Sequence, residues 1–497
     1  MKPFKSLFIQ SISCDTVFRN YYRASNAFTI VMLGAIICFS SLSIVFVSAF
    51  VFNLLVLGIR KLFQKSRDPF VLLFLTFSLI FIEFPTAIMA ICYPLYFPSS
   101  GLSFEWAAPA ESTIAYALGF LFTFYLCFFT AVLIVSVRSI DTSAVPRFSE
   151  MPKILPVAIL MLVFSFTYDN YLTSFFTGFS PGVWIEILKF LGYDIAIFFM
   201  LFLIVNLPDA NFYTGNSARR EISYGALCIL FIGIHSYNGS KGAILLLFFI
   251  AFIYPLAVLG QRVGQKIYVP NLYFVFFGII VSPIFFFIAS AIRNIRKVRR
   301  DENVQLDFID AFRTTTSIDN LSSDQATLLF KIVSDRISAP FNRYILIFEN
   351  YDLVKYSETV KAFPTYIFHS FLNLHLPGTP FPDAYNSSSM QLESILLKTS
   401  LISSPPGEFN ASRNNQPFSI FGLAILLVGF FGPLLFFIFV LLLRWICART
   451  DFLICLFCLM FFNSALNCYG VEASFQVSLS IIATFWALKS FQFKLNF

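Results

Sequence analysis

The sequence predicts an all-α polytopic integral membrane protein, with about eleven (10–12) transmembrane helices and one large extracytoplasmic loop. Three observations carry that expectation. Of the 497 residues, 58% are hydrophobic and only 12% charged, and the mean hydropathy is +0.78. Soluble domains are nearer 25% charged. Apolar runs of spanning length recur along the chain, and they are interrupted once, late, by the polar segment 293–417. In lipid, backbone polar groups must be satisfied within the segment, so the runs are expected to be helices.

The elements follow in order. A polar tail, 1–26, precedes a bundle of about eight spans over 27–292, then the loop 293–417, then about three more spans and a short tail over 418–497. The expected spans are 29–57, 70–91, 113–137, 153–169, 185–206, 222–236, 241–259, 271–292, 418–443, 451–467 and 473–489. The apolar run from Ala27 to Ile59 exceeds the h-region of a signal peptide, so it reads as a first span that is retained. Phe occurs 68 times, which suits lipid-facing and helix-packing positions and says nothing of catalysis. The nine Cys are expected to pack rather than to build a disulfide framework, and this includes the C-x-x-C pair Cys455 and Cys458.

Lys and Arg in short loops set orientation. One set of loops holds fifteen, among them Arg60, Lys61, Lys65, Arg67, Arg138, Arg219, Arg262, Arg444 and Arg449; the alternating set holds only Lys241. This places 293–417 outside the cytoplasm. The N-terminal tail resists the scheme, because it carries Lys2, Lys5, Arg19 and Arg23 while an odd span count puts it outside. Either the first apolar run is a re-entrant pair, or later charges override the first helix.

Within the loop, Lys and Arg balance Asp and Glu. Pro340 opens an amphipathic stretch with Phe341, Tyr344, Ile345, Phe348 and Tyr351 on one helical face, expected to pack on the outer ends of the bundle. Past Pro364 the chain reads as irregular, apart from one short helix near 389–399.

Four groups of residues suggest chemistry. Arg293, Arg296 and Arg300 fall on one face if the eighth span continues; Arg binds phosphate bidentately, so that face would hold a lipid diphosphate. The same charges would equally flank a span beside lipid headgroups. Lys241, in Asn238-Gly239-Ser240-Lys241-Gly242, is either a second phosphate contact or a snorkelling Lys in a hairpin turn. Glu408 and Arg413 set a carboxylate near a cation just before the ninth span, as base and phosphate clamp or as a polar helix cap. His369 has the near-neutral pKa of a general base, although lone histidines are more often structural. No nucleotide-binding, zinc or nucleophile-elbow motif occurs, so neither a cofactor nor a metal is expected.

On this plan the chain resembles the bacterial O-antigen polymerases, the Wzy-type oligosaccharide repeat-unit polymerases. The resemblance is architectural over nearly the whole length. Its local motifs are Gly239-Ser240-Lys241-Gly242 opening a span, Gly407-Glu408, and Phe421-Gly422 with Gly429-Phe430-Phe431-Gly432 in the span after the loop. Lys241 departs from the Arg that such proteins often carry, and their Arg-x10-Gly pattern is absent from the loop. The resemblance implies a metal-independent glycosyltransferase of the bacterial cytoplasmic membrane. Its substrate would be a polyprenyl-diphosphate-linked oligosaccharide. Lys241, Arg293 and Arg296 would neutralise the diphosphate, and Glu408 or His369 would take the acceptor proton. Tyr344, Tyr351, Tyr356, Tyr366 and Tyr385 would offer faces to sugar. Membrane lipid, a flippase and a chain-length regulator are the implied partners, with no nucleic acid. An O-antigen ligase shares the plan. A multi-span transporter or flippase is the reading from another class; the scarcity of charges in the spans and the size of the loop weigh against it.

Overall fold

The apolar run that the sequence presents as one first span is two helices. Helix α1 spans Cys14–Phe39 and α2 spans Ile44–Leu62, joined by a tight turn. Ser43 caps α2, its Oγ accepting from the Phe46 N–H at 3.1 Å, and the Glu111 carboxylate accepts the Ile44 N–H at 3.0 Å. An apolar run of this length hides a helix break, because hydropathy does not register a Ser-Ser-Leu-Ser turn. The expected span 29–57 is therefore corrected to two helices joined by a turn, each long and apolar enough to cross a membrane.

The computed structural model describes residues 9–93, 96, 109–137, 266–270, 338, 340–352, 365, 368, 419–450 and 452–467. The chain divides into two compact units. The first comprises Met1–Val17, Thr142–Gln325 and Ser480–Phe497, and the second Phe18–Asp141 and Ala326–Leu479. In the first unit the described part includes a two-stranded antiparallel ladder, β1 (Ile9–Ser13) against β2 (Lys266–Pro270), with Ile9 opposite Pro270. This short ladder is a departure from the all-helical expectation.

The second unit is a helix bundle. After α2 come α3 (Pro69–Ser78), a π-helical turn (Leu79–Glu83) and α4 (Phe84–Cys92), which together make one 24-residue span. Asp68 caps α3 with Pro69 at its first turn, where a missing N–H costs nothing. Helix α5 is Glu111–Ile134. Helix α6 covers 340–349. Helices α7 (Ile420–Val428) and α8 (Gly432–Cys447) are one span broken by a 3-10 turn, and α9 is Phe452–Asn467. Among the described residues five segments are long and apolar enough to cross a membrane. Exposed apolar side chains line their outer faces: on α8, Leu434, Ile438, Leu442 and Trp445 recur at helical spacing. The expected spans 153–169, 185–206, 222–236, 241–259, 271–292 and 473–489 lie outside the described residues.

The core is aromatic. Phe74 stacks on Phe128 at 4.0 Å between ring centroids, with Tyr125 at 4.9 Å and Phe436 at 6.3 Å; Phe462 of α9 meets Phe70 at 5.2 Å. Tightly packed rings supply association where lipid gives helices no hydrophobic reason to meet.

Two ends of the bundle differ in charge. The Tyr22 hydroxyl donates to the Ser66 carbonyl, so the start of α1, with exposed Arg19 and Arg23, lies beside the turn that carries Lys65 and Arg67. Arg444 reaches Asp68 and Val135 at the same end. The turns at the other end, 40–43, 93 and 109–111, carry no Lys or Arg. The hairpin thus brings the basic start of α1 to the same end as the basic turns.

Cys447 and Cys455 are disulfide-bonded, with Cα atoms 4.5 Å apart. The expectation that every Cys merely packs is corrected for this pair. The short turn between α8 and α9 brings together two side chains eight positions apart, a proximity that spacing alone does not reveal. Cys458 is a buried free thiol.

Candidate functional site

Helix α6 comes from the polar segment, yet 340–347 are buried on every side and only 348 and 349 are partly exposed. Phe341, Tyr344 and Ile345 are buried as their spacing predicts, but so are Asn342, Arg343, Leu346 and Ile347. The reason is close fit. The Tyr344 hydroxyl donates to the Ala117 carbonyl at 2.7 Å, and the Tyr96 hydroxyl to Asn342 Oδ1 at 2.7 Å. A Cβ on Gly422 would sit 2.9 Å from Ile347 Cδ1. Tyr344 is therefore a packing residue, not the exposed sugar-stacking face expected of it.

Beyond α6 the packing opens into a groove of about 680 Å³, lined by Thr113, Ala115, Tyr116, Gly119, Phe120 and Thr123 of α5, Phe348 and Glu349 of α6, and Phe430. Phe120, Phe348 and Phe430 form one wall, their centroids 5.5 to 6.1 Å apart. The break between α7 and α8 aims Phe430 there. Gly429 has φ +63°, and a Cβ at that position would collide with the Tyr351 hydroxyl. Tyr351 in turn packs on Phe430 at 5.4 Å. Glu349 and Glu111 both act on Tyr93: burial pushes its phenol above the ordinary range, and the two carboxylates push it the same way. The groove thus opens on the end of the bundle opposite the basic turns.

Deeper in the bundle is a buried charge pair. Arg60 of α2 and Glu83 of the π-helical turn are ion-paired, each with 0% exposure. Arg60 Nη1 donates to Thr29 Oγ1 at 2.6 Å and to the Ser25 carbonyl at 3.3 Å. Thr29 donates to Glu83 Oε2 at 3.0 Å, and Ser78 donates to Oε1 at 2.8 Å. Ser78 also bonds the Tyr125 hydroxyl at 2.7 Å. A π-turn re-aims one side chain off the regular ladder, and such turns concentrate at functional positions. Here it points Glu83 at Arg60. Ionisable groups inside spans are functional candidates by default.

A second charged clamp closes the basic end. Arg444 donates from Nη1 to Asp68 Oδ1 at 2.8 Å and from Nη2 to Oδ2 at 2.7 Å. It also donates to the Val135 carbonyl from Nε at 3.0 Å and again from Nη2.

Lys241, Arg293, Arg296, Arg300, His369, Glu408 and Arg413, the site residues expected from sequence, all lie outside the described residues, as do Tyr356, Tyr366 and Tyr385. Sequence reasoning passed over Glu83, Glu349 and the aromatic wall. Glu83 carried a signal, a lone acid inside an apolar run; nothing in the spacing of Phe120, Phe348 and Phe430 links them. No group of three or more His, Cys, Asp or Glu gathers as a metal site among the described residues. Comparison with family models, with curated proteins and with solved structures returns no match for the chain.

Proposed function

We propose that the chain polymerises polyprenyl-diphosphate-linked oligosaccharide repeat units at the outer face of a bacterial cytoplasmic membrane. What supports this reading is the large, charge-balanced segment 293–417, set between apolar runs and expected, from the Lys and Arg of the short loops, on the side opposite them. The separation of basic and non-basic ends in the described bundle supports it. In the reaction, a hydroxyl of one lipid-linked unit attacks the anomeric carbon of the growing chain. The bond from that carbon to the diphosphate oxygen breaks, polyprenyl diphosphate leaves, and the hydroxyl proton passes to Glu408 or His369. Lys241, Arg293, Arg296, Arg300 and Arg413 are the proposed contacts to the diphosphate.

One observation favours a second reading, a flippase or other transporter: the buried Arg60–Glu83 pair. Against it, the two side chains bond each other, Thr29 and Ser78, so the pair ties three helices together. The deletion strain separates the readings. A polymerase deletion leaves lipid A core bearing at most one repeat unit. A ligase deletion leaves bare core with long glycan on the carrier, and a flippase deletion strands single units on the cytoplasmic side. Core with one unit is expected; bare core overturns the assignment.

A further inference from the structure

The exposed faces of three helices turn from apolar to basic at the same end of the bundle. On α1, Arg19 and Arg23 precede Ile30 and Ile37; on α2, Val51 and Leu54 precede Lys61 and Lys65; on α8, the stripe from Leu434 to Trp445 ends in Arg449. Steps of three, four and seven keep each set on one side of its helix. All five cations are exposed, and they lie at the end where Tyr22 meets Ser66 and Arg444 meets Asp68. We propose that this end of the bundle binds anionic phospholipid headgroups, with the apolar part of each face against their acyl chains. The inference is independent of the proposed reaction. Depth supports it. At 1.5 Å per residue, Arg23 lies roughly 10 Å beyond Ile30 along the helix axis, Lys61 the same beyond Leu54, and Arg449 roughly 6 Å beyond Trp445. The headgroup layer has that scale, roughly 5–8 Å on each side of the hydrocarbon core, and Trp favours its inner boundary. Arg449 stacks on the Trp445 ring, with Cζ 4.3 Å from the centroid. Stacking uses the face of the guanidinium and leaves its N–H edge for phosphate oxygens. A zwitterionic headgroup brings its own ammonium, which these cations repel. A soluble anion gains the charge attraction but has nothing to lay on the apolar faces one or two turns away.

The test uses the full chain in vesicles of equal parts phosphatidylglycerol and phosphatidylcholine, one or the other brominated in its acyl chains. Quenching of a single Trp then reports which lipid lies beside it. With Trp106, Trp184 and Trp486 replaced by Phe, Trp445 is the first reporter. Adding Trp445→Phe together with Ala27→Trp moves the reporter to α1, one turn from Arg23; Phe39→Trp in place of Ala27→Trp puts it at the other end of that helix. Phosphatidylglycerol should be preferred at Trp445 and at position 27, by about fivefold where one cation is in contact. No preference is expected at position 39. Arg449→Gln should abolish the preference at Trp445, and Arg19→Gln with Arg23→Gln should lower it at position 27. Salt at about 1 M, where screening acts within about 3 Å, should do the same without any substitution. Equal quenching by the two lipids at both basic-end reporters, an equal preference at position 39, or a preference that survives removal of the charges overturns the proposal. Loss of the preference on adding polyglutamate at matched ionic strength would assign the cations to an acidic protein segment and overturn it as well.

Discussion

Arg444 grips Asp68 with both terminal guanidinium nitrogens, at 2.8 and 2.7 Å, across 376 positions of sequence. The same Asp68 oxygen accepts the Phe70 N–H at 2.9 Å, and Arg444 also caps the Val135 carbonyl at the end of α5. One residue therefore fixes the start of α3, the end of α5 and the end of α8.

Arg444→Ala should cost about 3–5 kcal/mol, because Asp68 keeps little exposure and the Val135 carbonyl loses its donor. Arg444→Lys should recover only part of this, since an ammonium cannot pair bidentately. Thermal melting of the detergent-solubilised chain measures both. A melting temperature for Arg444→Ala equal to the parent's would show that the clamp holds nothing.

The buried pair predicts non-additivity. Arg60→Met or Glu83→Met alone leaves an uncompensated charge in the bundle and should cost about 3–5 kcal/mol; the double variant should be far milder than the sum. Additive losses would mean that the two residues act independently.

Gly429→Ala should destabilise the α7–α8 break, by about 1–3 kcal/mol for the backbone conformation alone and by more for the collision with Tyr351. Combining it with Tyr351→Phe, which removes the struck hydroxyl, should restore part of the loss. No recovery in the double variant would place the whole penalty in the backbone.

Tyr93 gives a pH dependence. Its phenol titrates higher in the folded chain than the ordinary value of about 10. The unfolded chain then loses its proton first, so stability falls as pH rises from about 10 toward the folded value. Tyr93→Phe should remove that share of the alkaline loss in melting curves taken from pH 8 upward, and Glu349→Gln should shrink it. Identical alkaline slopes for Tyr93→Phe and the parent would count against the placement of the two carboxylates.

Much of the described fold was legible because hydropathy reports what a residue faces, lipid or water. The spans through Phe74, Tyr125 and Phe436 follow from it directly. It does not report where a helix turns within an apolar run, so the Ser40–Ser43 turn went unseen. Nor does it separate a polar segment that lies in water from one that docks: α6 carries Asn342 and Arg343 and is nonetheless buried. Long-range pairs such as Arg444–Asp68 leave no trace in local spacing. Of the candidate groove, Phe348 sits on the face that Pro340 was expected to open, whereas Glu349, one position on, was not among the residues named for that face. Phe120 joins them only through packing, and Phe430 only through the φ of Gly429.

The α1–α2 hairpin bears on how the chain enters its bilayer. Two apolar helices joined by a short turn can leave the translocation channel as a pair, so only the turn has to cross. On the orientation that the charge rule predicts, Arg19 and Arg23 at the start of α1 then stay where the ribosome is, with no charge carried over against the membrane potential. Lengthening the Ser40–Ser43 turn should leave insertion intact, whereas deleting α2 would force the choice that the hairpin avoids: to export the tail, or to invert every helix that follows.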